Sequence, residues 1–197
     1  MKLLVDSSSS LLLSLLLAQL SLFTSAHPVN HRRLQELDKL TNQTRNLMKV
    51  TNDLLKEHFS DLEHLEHHRF KSLPVMNHRA SDVHSLELKP TLSLLHHDLT
   101  MFEKHFLWLN NASRRHHHPA LPKLTEMMSL IKALNTTLQR QMGRVDAPKL
   151  TLVTPSLPPQ LHNQFEVLQS SHELLQQFER FCSWAHRALI SLRHNPR

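Results

Sequence analysis

The stretch Gln176–His194, QQFERFCSWAHRALISLRH, decides the fold. At about 100° per residue, Leu175, Phe178, Cys182, Ala185, Leu189 and Leu192 fall on one side of a helix. Trp184 lies off that stripe, between Arg180 and Arg187. Two readings of the displaced indole stand side by side. A long loop folds over it and makes it part of a satellite core, or it is exposed as a binding epitope flanked by guanidinium groups. Trp and Arg are the residues most enriched at binding hot spots, and the 180, 184, 187 spacing puts all three on one patch, which favours the epitope.

Outward from this stretch the same period recurs three times. The first run carries Leu34, Leu37, Leu40, Leu47, Met48, Leu54, Leu55 and Phe59. An end at Phe59 and a continuation through Leu62 and Leu65 both fit its spacing. The second opens with Pro90 in its first turn and continues through Leu92, Leu95, Leu99, Phe102, Phe106 and Leu109. The third, with Pro122 in its first turn, uses Leu121, Leu124, Met128, Ile131, Leu134 and Leu138. Gly143 stands where a left-handed cap ends that helix. The fourth extends the opening stretch back to about Leu161 through Phe165 and Leu168.

One glycine in 197 residues and no tyrosine leave little with which to build hairpins, so the fold class is all-α. About twenty residues separate the first two helices, about ten the next two, and about sixteen the last two. A short link forces antiparallel neighbours, whereas a long one can run back along a helix and let its successor point the same way. The pattern predicts a long-chain four-helix bundle, up-up-down-down, with two long crossover loops.

At the N-terminus, Lys2 precedes a leucine-rich run from Leu11 to Phe23 and the small residues Thr24, Ser25 and Ala26. This reads as a signal peptide over residues 1–26, leaving a secreted, extracellular domain over residues 27–197. The apolar run is short for a bilayer span. Cys182 is the only cysteine, so no internal disulfide forms and packing must supply the stability; its place on the apolar stripe favours a buried filler over a reactive thiol or one paired between molecules. The net charge of +6 survives loss of Lys2 and Asp6 with the leader. Such a surplus suits an acidic partner or an anionic extracellular polysaccharide. The scattering of basic residues among Leu and Glu, with few aromatics, argues against nucleic acid.

Catalysis fails on inventory: the chain has no phosphate-binding glycine loop, no nucleophile elbow and no zinc-protease helix, so it reads as a non-enzyme without cofactors. The 18 histidines include His64, His67 and His68 at helical spacing and the run His116, His117, His118. Both groups fall near a helix end or in a loop, where solvated histidines are common, so no metal site is assigned. A metal buffer would bind zinc stoichiometrically with a structural response. Three sequons invite N-glycosylation. Asn111 is placed in the loop after the second helix, Asn42 on the outer face of the first, and Asn135 at the edge of an apolar stripe where a glycan would fight packing. Trp108 is off its own stripe but shares a side with Leu94 and Met101, which points to a covering loop. The alternative to a binding bundle is an amphipathic-helix lipid-binding protein of the apolipoprotein type; narrow stripes and unequal loops speak against it.

Several segments resemble the interleukin-11 branch of the interleukin-6 cytokine family: QTRNLMKVTNDL, FKSLPVM, LKPTLSLLHHDLTMFEKHFLWL, MGRVDAPKL and HELLQQFERFCSWAHRALISLR, in that order. The lack of disulfides resembles that branch too. The third helix matches more loosely, and the chain ends RHNPR where the family has a basic residue close to a terminal Leu. The resemblance implies three receptor-binding faces and receptor-triggered kinase signalling. The first, for a specific receptor α-subunit, would use Arg193 and Arg197 with Leu73, Pro74 and Met76 beside them. The second, on the first and third helices, would meet a shared signal-transducing subunit through Lys49, Asp53 and Arg140. The third would centre on Trp184 with Arg180 and Arg187 and meet a second copy of that subunit.

Overall fold

The structure is a computed structural model describing residues 27–59, 70, 72–75, 80–115, 123–151, 157 and 161–194. It divides into two units, residues 1–36 and 37–197. In the first, the described residues 27–36 are helical; the bundle lies in the second. The described elements are α1 (His27–Phe59), a 3-10 helix (Ala80–Ser85), α2 (Leu88–Arg115), α3 (Leu124–Val145) and α4 (Gln164–His194), with no strand among them. The leader, Leu62, Leu65 and both His groups named above lie outside the described residues.

Local chemistry sets the ends. The α2 helix runs on to Arg115, because Ala112 and Ser113 are buried and the Ser113 hydroxyl donates to the Leu109 carbonyl at 3.0 Å. Asn111 therefore sits on a helix, not in the loop expected for it. The α3 helix starts after Pro122 rather than around it, with Lys123 left-handed at its threshold (φ 61). At its other end the left-handed residue is Asp146 (φ 52), not Gly143. Asp tolerates that conformation, and the Ala147 N–H reaches back to the Met142 carbonyl at 2.9 Å, closing the helix two residues beyond the glycine. The α4 helix begins in a capping box. The Glu166 N–H donates to Asn163 Oδ1 at 2.8 Å, while the Glu166 carboxylate accepts from the His162 N–H at 2.7 Å and from Asn163 Nδ2 at 3.1 Å.

Helix directions follow from contacts between them. Thr51 meets Met127 and Glu57 meets Lys123, so α1 and α3 run oppositely. Asp38 meets Arg193 and Phe59 stacks on His172, so α1 and α4 do too. Glu103 with Asn135 and His96 with Gln139 make α2 and α3 antiparallel. Phe102 with Phe181 and Phe106 with Phe178 do the same for α2 and α4. Both α1 and α2 thus oppose α3 and α4, which is the up-up-down-down order.

The core is one apolar cluster whose centre is Phe102, Phe106, Phe178 and Phe181, with ring centroids 5.1 to 5.9 Å apart. Full burial of each ring contributes about 2–3 kcal/mol, and tilted or edge-on pairing adds to it. Buried Thr41, Thr44 and Thr51 return their hydroxyls to the carbonyl one turn back at 2.8 Å, so α1 carries these polar groups inward without orphaning them. Cys182 is buried, and burial first, then nearby Glu179, pushes its thiol well up, so it packs as an apolar residue.

Candidate functional site

Among the described residues no group of three His, Cys, Asp or Glu side chains is arranged to hold a metal ion, and no helix is long and apolar enough to cross a membrane.

Trp184 is a correction: it is 3% exposed and belongs to the core cluster. The first crossover is held on the bundle at two described places. Its start is held on α2, where Ser72 bonds His105 and Phe70 stands edge-on to His105 and Trp108. Its later part is held on α4, where the Ser191 hydroxyl donates to the Val83 carbonyl at 2.7 Å. Trp184 lies two turns before Ser191 on the same side of α4. Trp108 is half-buried against Phe70, as its spacing predicts. Arg180 and Arg187 stay exposed on either side of the buried indole.

Arg193 is exposed and its Nε lies 2.9 Å from Asp38 Oδ1. Leu73 is buried and Pro74 half-buried, but neither is beside it. Their anchor at His105 is level with about Phe178, leaving Arg193 roughly 20 Å farther along the bundle. The crossover segment beside the end of α4 is instead the 3-10 helix, with Asp82 and His84 exposed. Met76 and Arg197 lie outside the described residues. On the other side, Lys49 is exposed, Asp53 half-buried and Arg140 exposed. The α1–α3 contacts place Arg140 about 15–20 Å along the axis from Lys49 and Asp53, so the three do not form a cluster.

The sequons separate. Asn42 and Asn111 are exposed. Asn135 is 7% exposed, and its amide donates to Glu103 Oε2 at 2.7 Å across the α2–α3 seam, leaving no room for a sugar in the folded bundle.

One surface residue escaped the stripe reading. Phe165, placed on the apolar side by spacing, is 57% exposed and is the most exposed large apolar side chain among the described residues. The capping box holds it in the first turn of α4, before burial begins at Val167. The pair Asn163 and Glu166, at cap spacing, was the signal that would have found it.

A family model described as Interleukin 11 matches residues 28–195. The chain belongs to the interleukin-11 family. Membership makes it a cytokine, a signalling protein rather than an enzyme, with cytokine receptors as the partners the family implies. No curated protein sequence matches the chain.

Proposed function

We propose that the chain loses residues 1–26 on export and acts outside the cell as a ligand that binds a specific receptor α-subunit, then gathers shared signal-transducing subunits so that their intracellular kinases meet. The observation that carries this is the family match across nearly all of the domain, on a bundle whose order is that of the secreted cytokines. The first face is built on Arg193 and the neighbouring 3-10 helix, where Asp82 and His84 are exposed. The second is the α1–α3 seam with Lys49, Asp53 and Arg140. Exposure moves the third face from Trp184 to Phe165, an aromatic side chain held rigidly at a helix start and open to a partner. Asn42 and Asn111 are the proposed N-glycan acceptors.

The test measures binding of the mature chain to immobilised receptor ectodomains and kinase signalling in responsive cells. Phe165→Ala should keep α-subunit binding and thermal stability while losing signalling. Full signalling by that variant would remove Phe165 from the third face. A chain that binds no receptor ectodomain but coats lipid vesicles would overturn the ligand reading.

A further inference from the structure

The α1–α4 seam carries an unusual arrangement of charge. Its two contacts, Asp38 with Arg193 and Phe59 with His172, share one register, which puts Arg45 level with His186 and Lys49 level with Cys182. The next residue after His186 is Arg187, and Arg180 lies two turns before that. Arg45, Lys49, Arg180 and Arg187 are all exposed. They occupy roughly 10 Å of the bundle's length.

Two nearby cations have carboxylates: Lys123 pairs with Glu57 and Arg193 with Asp38. None of these four has a carboxylate within ion-pair reach among the described residues, and the Arg187 Nε donates only to the Ser183 carbonyl of its own helix. The nearest acids on this side, Asp53 and Glu179, are half-buried. Burial and then the charge of Arg45 hold His186 below the usual imidazole range. Among the described residues, α1 from Leu37 onward and the length of α4 level with it carry no exposed large apolar side chain. A membrane surface would draw on apolar anchors beside the cations, and a nucleic acid on aromatic rings; the described residues on the facing lengths of these two helices offer neither on their outer side.

We propose that the outer side of the α1–α4 seam, centred on Arg45, Lys49, Arg180 and Arg187, binds a sulfated extracellular polysaccharide. Guanidinium forks match the planar pairs of oxygens on sulfate, and Lys adds a mobile point charge. Two antiparallel rows of cations along a rod suit an extended polyanion better than a single small anion. Lys49 also belongs to the α1–α3 receptor face, so a bound chain would sit at the edge of that face.

The experiment uses the full mature chain on immobilised heparin oligosaccharide, with desulfated heparin and phosphatidylserine vesicles in parallel. Binding should require sulfate and weaken steeply with salt, as counterion release dictates. The pairs Arg45→Gln/Lys49→Gln and Arg180→Gln/Arg187→Gln should each weaken it about threefold or more, and the four together more than about tenfold, with a shallower salt dependence. Arg114→Gln/Arg115→Gln, at the end of α2, should stay within about twofold. Should any variant misfold, heparin on the unaltered chain should shield Arg45, Arg180 and Arg187 from a guanidine-selective reagent and leave Arg114 and Arg115 reactive. Equal losses in seam and control variants, equal affinity for desulfated heparin or for vesicles, or no shielding would each overturn the proposal.

Discussion

Ser72 Oγ lies 2.7 Å from His105 Nε2, joining the first crossover to α2. The His105 Nδ1 is 2.8 Å from the Met101 carbonyl, which can only accept, so Nδ1 carries the proton and Nε2 accepts from the Ser72 hydroxyl. The imidazole is fully buried and its pKa is lowered by that burial, the Met101 bond opposing in part. Burial is likewise the largest cause lowering His96, helped by Lys149, and His186, helped by Arg45.

These three histidines fold neutral, so the unfolded chain binds more protons as pH falls through about 6.5. The stability their neutral forms supply is complete above that pH and is lost progressively as pH falls below it toward the folded pKa values. Thermal unfolding followed by circular dichroism should give a Tm about 5 °C or more lower at pH 5.0 than at pH 7.5. His105→Gln, which cannot charge, should shrink that difference while costing about 1 kcal/mol at neutral pH. An unchanged difference in the variant would mean His105 does not carry its share.

Trp184 is buried in the cluster, so its truncation leaves a cavity. Trp184→Ala should destabilise the bundle by about 3–5 kcal/mol in urea unfolding, whereas Arg180→Ala on the exposed flank should stay within about 0.5 kcal/mol. Equal small effects would return the indole to the surface.

The period of the apolar residues was enough to place all four helices, and the unequal gaps their directions, because burial of a stripe and chain reach are both linear in sequence. What lay beyond it depended on which segment covers which helix. Trp184 is off the stripe facing α2, and its burial shows that this side of α4 is interior as well. Leu73 and Arg193 share a face in the sequence reading, but the described crossover anchors lie at different levels, Ser72 at His105 and Val83 at Ser191 near Arg193. Phe165 obeys the helical period yet lies in the first turn, where no neighbouring helix meets it. Glycine was a misleading marker at α3, since Asp146 takes the left-handed turn instead.

That leaves Gly143 inside a helix with no conformational need for glycine. A Cβ built there meets nothing within 4 Å. Gly143→Ala should raise stability by about 0.5–1 kcal/mol, because it removes freedom from the unfolded chain without strain in the folded one. Denaturant midpoints at constant slope measure this, and a lower midpoint would mean the helix bends at that residue.

Asn163 and Phe165 are coupled through one turn of backbone. The Asn163 side chain fixes the Glu166 N–H, and Phe165 projects from between them, so the cap sets the direction of an aromatic side chain it does not touch. Asn163→Ala should cost about 1 kcal/mol by loss of the cap. If Phe165 is the third receptor face, the same variant should weaken signalling with α-subunit binding unchanged, since a frayed first turn must be reordered at each encounter. Asn163→Asp, which keeps an accepting oxygen at the cap, should restore both. Recovery of stability without recovery of signalling would show that the partner contacts Asn163 itself and not the ring beside it.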